Sequence, residues 1–415
     1  MKVLMLSAEC HPYAKTGGLG DVVGSLPKAL SKKGVECVVV LPKYKIIKQE
    51  YTDKMTFREF FYVKLGWRSQ YCGIFELEDN GVKYIFLDNE YYFGGDSIYS
   101  WNDLEKFIFY QKASLDLLEK IGFKPDVIHC NDWQSGLVPA LLEAQYGMKD
   151  FYKGIKTIMT IHNLQYQGIY SIESANEMLE FESFYFTSDK LEYYGNINFL
   201  KAGIVYADFV TTVSNTYAEE IKQPHFGEHL DGLLRSRADR LGGILNGIDY
   251  DEYNPLKDEY IFCKYGKRDF VTGKRKNKLA LQEQLGLKTD DTIPLIGMVT
   301  RLTGQKGIDL VTHVMDELMN MNIQLAVLGT GEEKFENMFR YYAGANPGKL
   351  SANITFDNAL AHKIYAASDM FLMPSLFEPC GLSQIISLSY GTIPIVREVG
   401  GLKDTIIPYN EYSGE

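Results

Sequence analysis

The chain has 415 residues, of which 46% are hydrophobic and 23% charged, with a formal net charge of −11. That length predicts two or three domains with large buried cores, and the composition is that of an ordinary globular protein rather than a disordered or fibrous one. An acidic surface repels phosphate backbones and argues against nucleic acid as a partner, so any anion site must be local and carry its own cations.

The N-terminal stretch MKVLMLSAECHPY turns polar too soon for a secretory leader. No run approaches the roughly 20 apolar residues of a membrane span, so no membrane partner is expected. The six cysteines, Cys10, Cys37, Cys72, Cys130, Cys263 and Cys380, are scattered and form no C-x-x-C pair. Such spacing predicts reduced thiols and a cytoplasmic protein.

Short apolar runs recur along the chain, separated by helical patterns. The first series is KVLMLSAE (2–9), ECVVVLPKY (36–44), DVIHCND (126–132), TIMTIHN (157–163) and FVTTVSN (209–215). The second is PLIGMVTRL (294–302), IQLAVLG (323–329), NITF (353–356), MFLMPS (370–375) and IPIVRE (393–398). Continuous runs rich in branched residues suit strands buried on both faces, and their alternation with helices predicts parallel sheets of the α/β class. Between the series, LGGILNGIDYDEYNP (241–255) reads as a loop and YGKRDFVTGKRKNKLALQEQLGL as a surface helix. This places the boundary between domains 1–245 and 246–415, two doubly wound halves expected to meet across a cleft. Ligands of such sheets lie at the carboxyl ends of the strands, so chemistry should cluster just after the runs.

The stretch AKTGGLGDVVGSLPKALSKKG (14–34) is the first such place. Gly18, Gly20 and Gly24 give only a weak match to a dinucleotide fingerprint. CHPYAKT separates the strand from the glycines, and no acid ends the second strand to bind a ribose. Glycines that let backbone approach a ligand, helix-tip amides and the charge of Lys15 instead fit a phosphate-linked sugar, against the plainer alternative of a helix entry without ligand. HCNDWQSGL (129–137) puts Asp132 and Trp133 after one strand, and IHNLQYQG (161–168) puts His162 after the next.

In the second half, RLTGQKG (301–307) sets Arg301 and Lys306 beyond a strand, where two cations suit a diphosphate or are simply solvated surface charges. FEPCGLSQIISLSYG (377–391) places Glu378 before Cys380 and Gly381 at an expected helix start, a carboxylate for sugar hydroxyls or a mere cap. REVGGLKDT (397–405) repeats the glycine entry. HFGEH (225–229) has the spacing of a zinc peptidase site, but Pro224 and Gly227 argue against a rigid helix there, and no metal is expected. GTGEE (329–333) reads as a plain turn.

Taken together, KTGGLGDV, HCNDWQSG, IHNLQYQG, LNGID, RLTGQKG, EPCGLSQ and GGLKDT resemble, in order and spacing, the bacterial glycogen synthases and plant starch synthases, from residue 2 to about 405. No one of these motifs is specific; the combination is. The resemblance implies a GT-B glycosyltransferase of two Rossmann-like domains, the first catalytic and acceptor-binding, the second nucleotide-sugar-binding. It implies glucose transfer from ADP-glucose to the non-reducing end of an α-1,4-glucan, with retention and without a cofactor. Carried onto this chain, Lys15 and Gly18 contact the sugar nucleotide and Arg301 and Lys306 neutralise the diphosphate. Glu378 holds the glucosyl hydroxyls with Cys380 and Gly381 beside it. Asp132, His162 and Asn246 line the reaction centre. Tyr99, in SIYSWND, and Trp133 serve the acceptor, and Phe356 stacks on the base. The family usually continues with a GTGF-like segment and closing helices beyond YNEYSGE, so the second sheet is expected to be truncated. Rival expectations are a UDP-glucose-dependent GT-B transferase and an inactive glucan- or nucleotide-binding relative.

Overall fold

The computed structural model describes residues 1–414. The chain divides into two compact units, Met1–Ile244 and Leu245–Glu415.

The first unit contains strands β1 (Lys2–Leu6), β2 (Glu36–Pro42), β3 (Thr56–Leu65), β4 (Arg68–Asp79), β5 (Val82–Asp88), β6 (Val127–Asn131), β7 (Lys156–Ile161), β8 (Ile169–Ser171), β9 (Glu192–Tyr193), β10 (Asn196–Asn198), β11 (Phe209–Thr212) and β12 (Leu241–Gly243). Nine of them form one sheet in the order β12-β11-β7-β6-β1-β2-β5-β4-β3. From β12 to β5 the neighbours are parallel; β4 and β3 add an antiparallel hairpin. The central strands are buried almost throughout, which is why they read as unbroken apolar runs. Strands β8, β10 and β9 make a small separate sheet.

The second unit contains β13 (Leu295–Val299), β14 (Gln324–Leu328), β15 (Leu350–Asn353), β16 (Met370–Met373) and β17 (Ile393–Val396), all parallel in the order β15-β14-β13-β16-β17. In both sheets the strand order reverses at one point, between β1 and β6 in the first unit and between β13 and β16 in the second. Loops leaving adjacent strands in opposite directions open a crevice at their carboxyl ends.

Several sequence expectations are corrected. The hairpin β3–β4 and strand β5 were not expected, and they make the first sheet mixed. The run NITF is not itself a strand: β15 ends at Asn353. The segment 241–255 is not all loop, since Leu241–Gly243 pairs with β11. The helix Phe270–Gln284 forms where expected but buries Gly273, Asn277, Lys278, Leu281 and Gln282. Its polar side chains survive burial because each is bonded: Lys278 Nζ lies 2.7 Å from Asp369 Oδ2, and Asn277 Oδ1 accepts from the amides of Phe262 and Cys263.

Candidate active site

In the first unit, β1 ends at Leu6, and the chain then runs through Ser7, Glu9 and the glycine loop into the helix Gly18–Ser31. Lys15, Thr16, Gly17 and Gly18 are exposed. Two glycines here answer to packing: a Cβ on Gly20 would meet Lys15 Cγ at 2.9 Å, and one on Gly24 would meet the His11 carbonyl at 2.5 Å. Lys15 Nζ lies 2.5 Å from Asp21 Oδ1, so its charge is shared with the first helical turn. Beneath the loop, the buried Glu9 carboxylate accepts from Thr16 N (2.6 Å), Thr16 Oγ1 (2.6 Å), Gly17 N (3.1 Å) and Tyr99 Oη (2.8 Å). Tyr99 in turn accepts from Gln134 Nε2 at 2.9 Å. Its loop is held from below by the buried Lys106, which donates to Ile98 O, Ser100 Oγ and Asp103 Oδ1.

Past β6, Asp132 adopts φ 54°, ψ −176°, a region that almost only glycine visits, at a cost of about 1–3 kcal/mol. The strain aims its buried carboxylate across to the end of β7, where Oδ1 accepts from His162 N at 2.7 Å. Burial pushes the Asp132 carboxyl up to about 7, against the backbone bonds from His162 and Asn163 that lower it. His162 donates Nε2–H to Asn131 Oδ1 at 2.9 Å, because the Asn131 amide nitrogen is already committed to the Leu6 and His129 carbonyls. Nδ1 is therefore the unprotonated acceptor. Burial, with His129 nearby, drives the imidazole down to about 3, so it is neutral at physiological pH. Trp133 is a core ring: it packs edge-on against Phe107 at 4.9 Å and against Tyr99, Tyr170 and Phe199. Gly168, at φ +65°, is required under it, since a Cβ there would lie 2.4 Å from the indole.

In the second unit, β13 leads to Arg301 and the turn Gly304–Lys306. Arg301 is exposed; Lys306 is directed inward and lies 2.6 Å from Glu378 Oε2. Their side chains are 14% and 8% exposed, and Ser375 Oγ donates to the same oxygen at 2.9 Å. Gly307 makes this turn possible: it sits at φ +70°, and a Cβ would fall 2.1 Å from the Pro374 carbonyl. Glu378 is not a helix cap, because the next helix is Ser383–Ser389 with Leu382 before it. Gly381, at φ +72°, belongs to the turn between them. The Cys380 thiol is buried and pushed up to about 12 by that burial, with Asn246 as a hydrogen-bond partner. A Cβ on Gly401 would lie 2.4 Å from Cys380 Cα, so the helix Gly400–Thr405 is seated directly on this turn.

Lys15, Asp132 and His162 thus follow β1, β6 and β7 beside the first switch point, and Arg301, Lys306, Glu378, Cys380 and Gly381 follow β13 and β16 beside the second; Tyr99 lies between two helices and Asn246 after β12. Lys15, Gly18, Tyr99, Asp132, Trp133 and His162 gather in the first unit, and Asn246, Arg301, Lys306, Glu378, Cys380 and Gly381 in the second. Phe356 stands apart on the loop after β15, 88% exposed.

A family model described as the starch synthase catalytic domain matches residues 2–236, and one described as glycosyl transferases group 1 matches residues 280–414. The chain belongs to the starch and glycogen synthase family. Glycogen synthases of Lachnospira eligens and Clostridium kluyveri are 57% and 51% identical over 100% of this chain and 87% of their own. The catalytic domain of starch synthase IV from Arabidopsis thaliana, solved bound to ADP and acarbose, superposes with a TM-score of 0.90 at 33% identity, covering 99% of this chain and 85% of that one. The fold is accordingly GT-B.

Sequence reasoning missed Glu9, Asp21, Asn131, Gln134 and Ser375. Glu9 had one signal, a lone carboxylate between a buried strand and a glycine loop. Asn131 and Gln134 had none, since their partners His162 and Tyr99 lie 31 and 35 residues away; Asp21 and Ser375 lie close to Lys15 and Glu378 in the chain, but nothing in the residue pattern marks the pairing. The HFGEH segment is not a helix: Glu228 and His229 have φ 46° and 63°. Among the described residues no group of three or more His, Cys, Asp or Glu is placed to hold a metal. No helix among them is long and apolar enough to cross a membrane.

Proposed function

We propose that this chain is a glycogen synthase, transferring glucose from ADP-glucose to the non-reducing end of an α-1,4-glucan with retention at the anomeric carbon. The observation that carries the reading is the inward-facing Lys306–Glu378 pair at the switch point of the second sheet, in a relative of an enzyme solved with ADP.

As the C1–O bond of the donor breaks, positive charge grows on the sugar ring and negative charge on the leaving diphosphate. Lys306, held by Glu378, and the exposed Arg301 are the cations for that diphosphate. Because they meet more charge in the transition state than in the bound donor, they lower the barrier rather than merely hold substrate. Glu378, anchored by Lys306 and Ser375, accepts hydroxyls of the transferring glucosyl group. Cys380, Gly381 and Asn246 shape the turn around it, and Phe356 offers a face to the base. In the first unit, Lys15 and Gly18 approach the donor, and neutral His162 offers Nδ1 to a sugar hydroxyl. The His162 backbone carbonyl, in a loop that Asp132 holds in shape, is the group in the first unit assigned to stabilise the growing positive charge. Tyr99 serves the acceptor, whereas Trp133 supports that region from the core. The first unit is thus the catalytic and acceptor domain and the second the donor domain. The net charge of −11 speaks against nucleic acid partners, and the six unpaired cysteines suit the cytoplasm.

The test is incorporation of radiolabelled glucose into glycogen from ADP-glucose and from UDP-glucose. Incorporation at least about tenfold faster from ADP-glucose is expected, a difference of about 1.4 kcal/mol in transition-state binding. No incorporation from either donor, or a preference for UDP-glucose, overturns the reading.

A further inference from the structure

We propose that Glu9 is a positioning residue that ties the glycine loop to the Tyr99 loop, so that one carboxylate sets the donor and acceptor sides together. The inference rests on the glycogen synthase reading of the same site.

Glu9 is 3% exposed and takes four donors from two separate loops: Thr16 N, Thr16 Oγ1 and Gly17 N from one, and Tyr99 Oη from the other. An ionised carboxylate only accepts and has about four lone-pair directions, so these bonds occupy it. Glu9 is thereby a support and not a substrate contact. Its backbone is fixed as well: Glu9 N donates to Ser7 Oγ, and Ser7 Oγ donates back to Glu9 O.

The carboxylate also sets the direction of the bonds beyond it. Tyr99 has one hydroxyl proton, and it goes to Glu9. Its oxygen can then only accept, which obliges Gln134 to present Nε2. Gln134 Oε1 is left buried without a partner, an orientation the amide would abandon if Tyr99 were free to donate to it. The chain of donation runs Gln134 to Tyr99 to Glu9, and the glycine loop donates to the same group from the other side. Bonds ordered head to tail in a buried setting reinforce one another. A change in how the glycine loop engages Glu9 is therefore felt at Tyr99, and the reverse.

Glu9→Gln is nearly isosteric but replaces one accepting oxygen with a donating NH2, which must oppose donors from one loop or the other. We expect at least a fivefold rise both in the dissociation constant for ADP, measured by calorimetry without acceptor, and in KM for glycogen. Tyr99→Phe cuts one arm directly, and because the coupling runs both ways it is expected to raise KM for glycogen at least threefold and to weaken ADP binding at least twofold. Combined with Thr16→Val, which trims the other arm, its effect on KM should depart at least threefold from the product of the two single effects. This cycle stands even if Glu9→Gln folds poorly. A Glu9→Gln variant with both constants within twofold of wild type, whatever its melting temperature, overturns the coupling, as does a purely multiplicative double variant. Absence of glucose incorporation by the wild-type chain overturns instead the synthase reading, so the two failures are distinct.

Discussion

Removing the Lys306 ammonium should damage stability and catalysis by separate amounts, and a second substitution should separate them. With the two charged atoms 2.6 Å apart, the gross attraction at an effective dielectric of about 20 is about 6 kcal/mol. Most of that offsets the desolvation of two groups that are 14% and 8% exposed. Lys306→Ala leaves Glu378 buried without its cation, a change that costs about 3–5 kcal/mol in such pairs. The low end is expected, because Ser375 Oγ still donates to Glu378 Oε2.

The same substitution removes a fixed cation from the leaving diphosphate, worth a factor of about 10²–10³ in kcat. Lys306→Met combined with Glu378→Gln removes both charges and keeps similar volumes, so it should regain most of the lost stability but none of the rate. Urea melts report the first quantity and labelled-glucose transfer the second. A single variant that melts as wild type and transfers within threefold of it would refute the buried-pair argument. A double variant that regains activity would refute the catalytic one.

Asp132→Gly should be more stable than Asp132→Ala by about 1 kcal/mol or more, because both lose the bond to His162 N but only glycine relaxes at φ 54°; equal melting midpoints would remove the strain. Burial raises the Asp132 carboxyl from 3.8 to about 7, so the folded chain holds this proton more tightly and the contribution to stability is lost as the pH rises from about 4 to about 7. His162, lowered to about 3, acts oppositely: its contribution is present above about 6.5 and lost as the pH falls. Asp132→Asn should delete only the first slope, and urea melts at about pH 4.5 and about pH 7.5 would show an unchanged difference if the assignment is wrong. Gly307→Ala should cost well over about 1 kcal/mol and abolish transfer, since φ +70° and the Pro374 carbonyl both oppose a Cβ; a soluble, active variant would contradict it. Transfer should survive EDTA, and a loss restored by added metal would overturn the metal-free reading.

The parallel strands were legible because burial on both faces leaves no polar position to interrupt the run, as in β1, β2 and β14. The hairpin β3–β4 was not. One face of it is solvated and carries Arg58, Lys64 and the exposed rings of Phe57, Phe60 and Tyr62, so its alternating pattern lacks the clear polar face expected of a half-buried strand. The helix Phe270–Gln284 shows the same limit in reverse. Asn277, Lys278 and Gln282 count as surface residues on composition, and only partners up to 91 residues away in the chain make their burial tolerable.

Within the candidate site, the rule that ligands follow strand ends picked out Asp132, His162, Arg301 and Lys306, and the structure puts each just beyond a parallel strand, because that placement depends on topology, which the apolar runs encode. It could not say what each side chain does. Glu378 illustrates the difference. Five residues before a helix it cannot cap, it is defined by Lys306, 72 residues earlier, and by a glycine at 307 that lets the two strand-end loops pass closely. Trp133 illustrates it differently. The family resemblance implied an acceptor role for it, yet the missing side chain at Gly168 opens a slot that takes the ring into the core. Function at these positions is a property of pairs, and a pair distant in sequence leaves no pattern in either member alone.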